Sequence, residues 1–264
     1  MQYQIPEKFN AIDSHTHLNF ILGVNYDYLN KEEAARMIEC NKKYGITKAG
    51  ISMPYLKKDV TPQEYQKGNN LILEALDLFD HFFGFCFVDP TDTKAACDEI
   101  RRCVRDNKMA GLKLYHQYTI DDPIFTPIFE LCQELNCPVL GHAVKGPNPP
   151  TLSNAQHFCN VAKRFPGVNF IQAHIGGGGD WEWNLRILED STPNHYIDTS
   201  GSVIDRGMIK KTVQTMTANR VLFATDMFVE EGVGKLLAAE LNDEEMQKIC
   251  HDNIVKLLSG KMEQ

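Results

Sequence analysis

No stretch of this 264-residue chain approaches the roughly 20 uninterrupted apolar residues of a membrane-spanning helix. Its opening, "MQYQIPEKFN", lacks a basic segment followed by an apolar core, so no secretory signal is read there and a cytoplasmic setting is expected. Neither sign of charge forms a run: 27 basic residues stand against 35 acidic ones, a net charge of -8. Without a basic stripe or tail, nucleic acid and anionic membranes drop out as expected partners. The eight cysteines include no C-x-x-C pair and no finger-like spacing; in a reducing compartment they read as small buried hydrophobes. A Gly/Ser/Pro linker is also missing, so residues 1–264 are read as one domain.

What is present is a rhythm. Short apolar, β-branched runs recur roughly every 30 residues, with helix-like amphipathic segments between them, as βα units require. Eight candidate strands follow: "NAIDSH" (10–15), "TKAGISM" (47–53), "FFGFCFV" (82–88), "AGLKLY" (110–115), "CPVLGH" (137–142), "VNFIQAH" (168–174), "HYIDTS" (195–200) and "RVLFATD" (220–226). Between them, "KEEAARMIECNKKYG" (31–45) ends on basic residues and a glycine stop, and "TPIFELCQELNC" (126–137) opens on a Thr-Pro start. Several strands are apolar throughout, as expected of parallel strands covered on both faces. Eight units filling the chain predict a single-domain (β/α)8 TIM barrel in preference to a doubly wound open sheet. The Pro-rich stretch 145–154 and the glycine run 176–179 then fall in βα loops, the face where barrels place their chemistry.

Reactive side chains stand at the ends of these strands. In "AIDSHTHLNF" (11–20), His15 and His17 are two apart and so share one face of a strand. Lys113 lies in the fourth strand, His142 ends the fifth, His174 the sixth and Asp226 the eighth. A barrel brings those ends to one mouth. Imidazoles and a carboxylate meeting there suit zinc or a similar divalent ion, with donors at roughly 2.0 to 2.2 Å and one position left for water. Any one of these histidines alone is more often a hydrogen-bonded structural residue; their sharing one face is what carries the metal reading. His81, His157, His195 and His251 fall before strands or in helix-like segments and are read as structural or exposed.

The H-x-H ending the first strand, the histidines ending the fifth and sixth, and the aspartate ending the eighth resemble the amidohydrolase superfamily of metal-dependent barrel enzymes. "DTSGS" (198–202), "RVLFATD" and "ICHDNIVKLL" (249–258) are similar to its amidohydrolase-related branch, which holds hydrolases, lactonases and nonoxidative decarboxylases. That resemblance implies one ion on His15, His17, His142 and Asp226. "AGLKLYHQY" followed by "CPVLGHAV" also resembles the dihydroorotase pattern, in which a carboxylated lysine bridges two ions. Lys113 would then bridge, with His142 and His174 holding the second ion. One ion is the expectation, zinc first, with manganese and iron as alternatives. "ATDMFVEEG" departs from the Gly-Ser-Asp or Gly-Thr-Asp often found at the eighth strand, which leaves the substrate open.

The implied chemistry is hydrolysis of an amide, lactone or similar bond of a small molecule. The ion activates water at neutral pH, Asp226 takes the proton, and His174, if not a ligand, steadies the oxyanion. Decarboxylation of an aromatic or unsaturated acid is the enzymatic rival, and a metal-free binding or regulatory barrel the non-enzymatic one. Arg206, Tyr55 and Trp181 are candidate substrate contacts, although each has a blander reading as a solvated or packing residue. Pairing into a homodimer is compatible with the fold.

Overall fold

The computed structural model describes residues 3–18, 20–21, 24–25, 27–107, 109–144, 152–176, 181–201 and 206–258. The Pro-rich expectation at 145–151 and most of the glycine run lie outside them. Strand β1 (Ala11–His17) is followed by a short antiparallel pair, β2 (Phe20–Ile21) and β3 (Val24–Asn25). Then come β4 (Ile46–Ser52), β5 (Phe82–Phe87), β6 (Gly111–Leu114), β7 (Val139–Gly141), β8 (Phe170–Gln172), β9 (His195–Asp198) and β10 (Val221–Leu222). Eight of these form one parallel sheet in the order β1-β4-β5-β6-β7-β8-β9-β10. Two backbone bonds draw the last strand to the first: Ser14 N donates to Phe223 O at 2.9 Å and Asp226 N to His15 O at 2.8 Å. The sheet is a nearly closed barrel.

Helices α1 (Lys31–Lys43), α2 (Pro62–Leu78), α3 (Thr93–Ile100), α4 (Thr126–Glu134), α5 (Ala155–Arg164), α6 (Trp181–Leu188), α7 (Met208–Met216) and α8 (Val229–Leu237) alternate with the strands. Their ends follow from local chemistry. Asn30 caps α1, which stops at Gly45, where φ is +81° and an added Cβ would stand 2.2 Å from Ile5 O. Thr61 and Glu64 close a capping box on α2, with Pro62 just inside it. The Thr-Pro signal marks the start of α4, but Thr126 is not its cap; a short 3-10 turn, Pro123–Phe125, leads straight into the helix.

Inside the barrel, alternation decides which side chains meet. Leu112 and Leu114 of β6 pack outward with α3 and α4 residues, while Lys113 between them turns inward and is fully buried. Ile12, Phe83, Phe85, Leu140, Ile171, Tyr196 and Leu222, drawn from six strands, form an apolar cluster of their own. Phe85 is 0% exposed, so its loss to Ala would cost about 3–5 kcal/mol. None of the eight cysteines is in a disulfide, and all but Cys40 are buried. Among the described residues, no helix is long and apolar enough to cross a membrane.

Candidate metal centre

The two histidines of β1 stand edge to face, ring centroids 5.1 Å apart, and both are buried. Each is oriented through its inner nitrogen. His15 Nδ1 donates to Asp198 Oδ2 at 2.9 Å, and His17 Nδ1 is bonded to Ser52 Oγ at 3.0 Å. Their outer nitrogens converge on Asp226: His17 Nε2 lies 3.1 Å and His15 Nε2 3.6 Å from Oδ1. Donor atoms of His15, His17 and Asp226 all fall within 4.8 Å of one another. Burial lowers the His17 imidazole and, with help from Lys113, brings His15 down to about 4, so both are neutral at pH 7 and have lone pairs to offer. Burial alone would raise the Asp226 carboxyl, but the surrounding imidazoles of His15, His17 and His174 hold it well below the usual carboxylate range.

His174 and His142 lie beside this group, and neither adds a donor to the set within 4.8 Å. His174 Nε2 is 3.7 Å from Asp226 Oδ2 and 3.3 Å from His142 Nδ1. His174 Nδ1 bonds Ser200 Oγ at 2.9 Å, and that hydroxyl donates to Asp198 Oδ1 at 2.5 Å. Asp198 Oδ1 also accepts the backbone N–H groups of His174 and Ser200 at 2.9 and 3.0 Å, so one buried carboxylate orients both His15 and His174. Burial, with His174 and His116 nearby, pushes His142 well below its ordinary value.

The backbone carrying this group is strained in the left-handed region at His174 (φ 72°), Asp226 (φ 47°) and Met227 (φ 74°), as functional sites often are. His174 and Asp226 lie past the ends of β8 and β10, further out than the runs "VNFIQAH" and "RVLFATD" suggest. Gly201 (φ +92°) permits the approach of His174: a Cβ there would stand 2.8 Å from its Nδ1. Asp13 holds the opposite side, accepting from Thr225 N at 3.0 Å, Thr225 Oγ1 at 2.5 Å and His15 N at 3.1 Å.

Lys113 enters the barrel with its amine 2.7 Å from His15 Nε2, and burial lowers it to about 8. The other candidates are not brought to the cluster. Trp181 is buried between α6 and α7 under the Lys211 amine, 4.9 Å from its ring, and is a packing anchor. Tyr55 is half-buried against Phe87, its hydroxyl donating to Glu64 O at 2.8 Å. Arg206 is exposed beside Gly207, just ahead of α7. His81, His157, His195 and His251 have partners elsewhere, in Asn41, the Asn154 capping box, Gln172 and Asp252.

Three further residues belong to the site. Asp198 and Ser200 sit in "DTSGS", a motif noted for its family look, yet nothing in the pattern says that the carboxylate reaches back to His15. His116 follows Tyr115, stacks on it at 4.0 Å and lies 4.6 Å from the His142 ring.

An eight-stranded parallel barrel with imidazoles and a carboxylate converging beyond its strand ends is the architecture of a metal-dependent barrel enzyme. The chain belongs to the amidohydrolase family, whose profile matches residues 12–259. A search of the curated proteins finds no match. Solved structures do resemble it. One is 2,6-dihydroxybenzoate decarboxylase from Rhizobium, with a TM-score of 0.73 and 18% identity over 94% of this chain and 98% of that one. A 5-carboxyvanillate decarboxylase from Novosphingobium aromaticivorans, complexed with manganese, gives 0.74 and 16% over 98% and 99%. The 4-oxalomesaconate hydratase of Rhodopseudomonas palustris gives 0.72 and 19% over 94% and 95%. At such identities the likeness shows the fold. The expectation of zinc in particular gains no support from these structures.

Proposed function

We propose that this chain is a divalent-metal-dependent decarboxylase acting on a small aromatic or unsaturated acid. The supporting observation is the place of His174: its imidazole adjoins the His15–His17–Asp226 group, 3.7 Å from Asp226, with its far nitrogen fixed through Ser200 to Asp198. Loss of carbon dioxide leaves the bonding electron pair on the substrate carbon, which must take up a proton as the carboxylate departs. With its Nδ1–H held by Ser200, a His174 carrying a second proton on Nε2 would deliver that proton and be left as the neutral ring. The decarboxylase neighbours support the same reading, and the manganese in one of them favours manganese over the zinc expected from the sequence.

One ion would be held by His15 Nε2, His17 Nε2 and Asp226, whose donors lie within 4.8 Å of one another, with His142 as the fourth ligand that the resemblance implies. Once bound, it would act as a Lewis acid on the substrate carboxylate. Asp198 and Ser52 fix the tautomers that turn lone pairs of His15 and His17 inward, and Asp13 ties the Asp226 segment to β1.

Hydrolysis is the second reading, and Lys113 favours it. A carboxylated amine 2.7 Å from His15 Nε2 would suit a bridge between two ions, the second on His142 and His174, with Asp226 accepting a proton from water.

The test is turnover by protein loaded with manganese or zinc. Carbon dioxide released from 2,6-dihydroxybenzoate, 5-carboxyvanillate or a related acid, and lost in His174→Asn, supports decarboxylation. Turnover confined to lactones or cyclic amides would overturn it in favour of hydrolysis. Protein that takes up no metal and gains no thermal stability from it would return the chain to the binding-protein class.

A further inference from the structure

A second convergence of metal-binding donors lies outside the barrel, where β5 meets α2 and α3. Alternation turns Phe83 and Phe85 inward and Cys86 out toward the helices. Cys86, Glu99 and Cys103 are all buried, and their sulfur and carboxylate atoms fall within 4.8 Å of one another. The α3 helix runs on in π form through Arg101–Asp106, a departure that often accompanies a functional site. Glu99 and Cys103, four apart, share its buried face. The carboxylate is the hub. Arg102 grips it with two donors, Nε to Oε2 at 2.7 Å and Nη2 to Oε1 at 2.6 Å. Asn69 Nδ2 reaches Glu99 Oε1 at 2.8 Å and Cys86 Sγ at 3.5 Å, while its Oδ1 accepts Phe87 N at 2.9 Å.

Cys103 Sγ donates to Glu99 Oε1 at 3.3 Å. A sulfur and an oxygen bound to one tetrahedral ion stand roughly 3.5 Å apart, given bonds of about 2.3 and 2.0 Å. An ion can therefore take the place of the thiol hydrogen with little movement of either atom. The charges close as well. Without an ion, Glu99 and Arg102 cancel, and burial, with Cys103 and Glu99 alongside, raises the Cys86 thiol well above its ordinary value. A divalent ion that expels one proton from each thiol leaves two thiolates, a carboxylate, a guanidinium and the ion, again a sum of zero. The buried region thus gains no net charge. On α2, the buried Tyr65 hydroxyl has no hydrogen-bond partner among the described residues, and burial, followed by the charges of Asp92, Glu99 and Cys86, raises it. A buried hydroxyl without a partner, in the field of convergent donors, is a second sign of a ligand there.

We propose that Cys86, Glu99 and Cys103 form a second metal site, separate from the barrel centre, that takes zinc or a comparably thiophilic divalent ion. Thiolates select such ions over manganese. An ion there ties β5 to the end of α3, so its binding adds to the stability of the fold. The experiment uses the full chain and cobalt(II) as the probe for zinc. The barrel centre has no sulfur donor, so sulfur-to-cobalt charge-transfer absorption reports the second site alone. Cobalt is added to the folded protein and, separately, during refolding from denaturant, so that slow entry cannot hide the site. Wild type is expected to show the absorption. Cys103→Ser should cut it by about half, one thiolate of two being lost. With Cys86→Ser as well it should vanish, while manganese still binds the barrel centre. A cluster that serves packing alone gives no such absorption under either condition, and that result overturns the proposal, as does absorption that survives the loss of both cysteines. Should the serine variants fail to fold, zinc-edge X-ray absorption of the zinc-loaded wild type decides. Sulfur at about 2.3 Å is expected, and a shell of nitrogen and oxygen alone is equally fatal.

Discussion

Replacing Asp198 with Asn removes one charge and no volume, and its consequences can be worked through atom by atom. The wild-type carboxylate is fully buried, taking His15 Nδ1–H on Oδ2 and three donors from His174 and Ser200 on Oδ1. Burial alone would raise its proton affinity, but the nearby imidazoles and N–H donors of His15 and His174 hold it well below the usual carboxylate range. In Asp198→Asn, the amide oxygen can keep the three donors on one side. Its NH2 then faces His15 Nδ1, which must become an acceptor, and the ring proton moves to Nε2. That is the atom a metal ion needs. Affinity for manganese or zinc should fall roughly 10- to 100-fold, about 1.4–2.7 kcal/mol. Metal-free stability should fall by about 1–3 kcal/mol as charged acceptors become neutral ones. Competition with a chromophoric chelator measures the first and denaturant unfolding the second. An Asp198→Asn protein that binds the ion within a factor of two of wild type would refute the tautomer reasoning and the place of His15 among the ligands.

Three other outcomes are expected. His15→Ala together with His17→Ala should abolish stoichiometric manganese in elemental analysis while circular dichroism still reports a folded barrel; unchanged manganese content would remove both from the ligand set. Wild type loaded with manganese should carry one ion per chain and an unmodified Lys113, so two ions with a mass increment of one carbon dioxide would establish the binuclear alternative. The metal-free protein should lose stability as pH falls from about 6.5 to 4. The unfolded chain takes up protons on imidazoles that burial keeps neutral in the fold, His15, His116 and His81 down to about 4 among them. His15 alone is worth roughly 3 kcal/mol over that window. Asp13 acts in the opposite sense, because burial raises its carboxyl to about 7 and the native state therefore gains a proton, and with it stability, as pH falls from about 7 toward 4. Thermal melts should accordingly fall more steeply with acid in Asp13→Asn than in wild type; parallel curves would contradict the burial account.

The parts legible in the sequence are those with a local period. Lys113 illustrates this: alternation in "GLKL" puts Leu112 and Leu114 on one face and the lysine on the other, and in the structure the leucines meet the helical layer while the lysine enters the barrel. His15 and His17 share a face for the same reason, and the strand count followed from recurrence of apolar runs. What sequence could not supply is contact between residues far apart in the chain. Asp198 orients His15 from 183 positions away, and Thr225 anchors Asp13 across 212, through bonds that no spacing encodes. Backbone conformation is equally silent. The runs ending in His174 and Asp226 read as uninterrupted strands, whereas both residues adopt left-handed φ past the ends of β8 and β10. That departure gives the site its shape. An extended residue would keep its side chain on the alternating pattern of the sheet, but a left-handed one turns the chain, and Gly201 opens the space that the His174 ring then needs. Local propensity thus builds the barrel, and the candidate metal centre appears where the chain leaves its local preference and is held there by buried hydrogen bonds from distant strands.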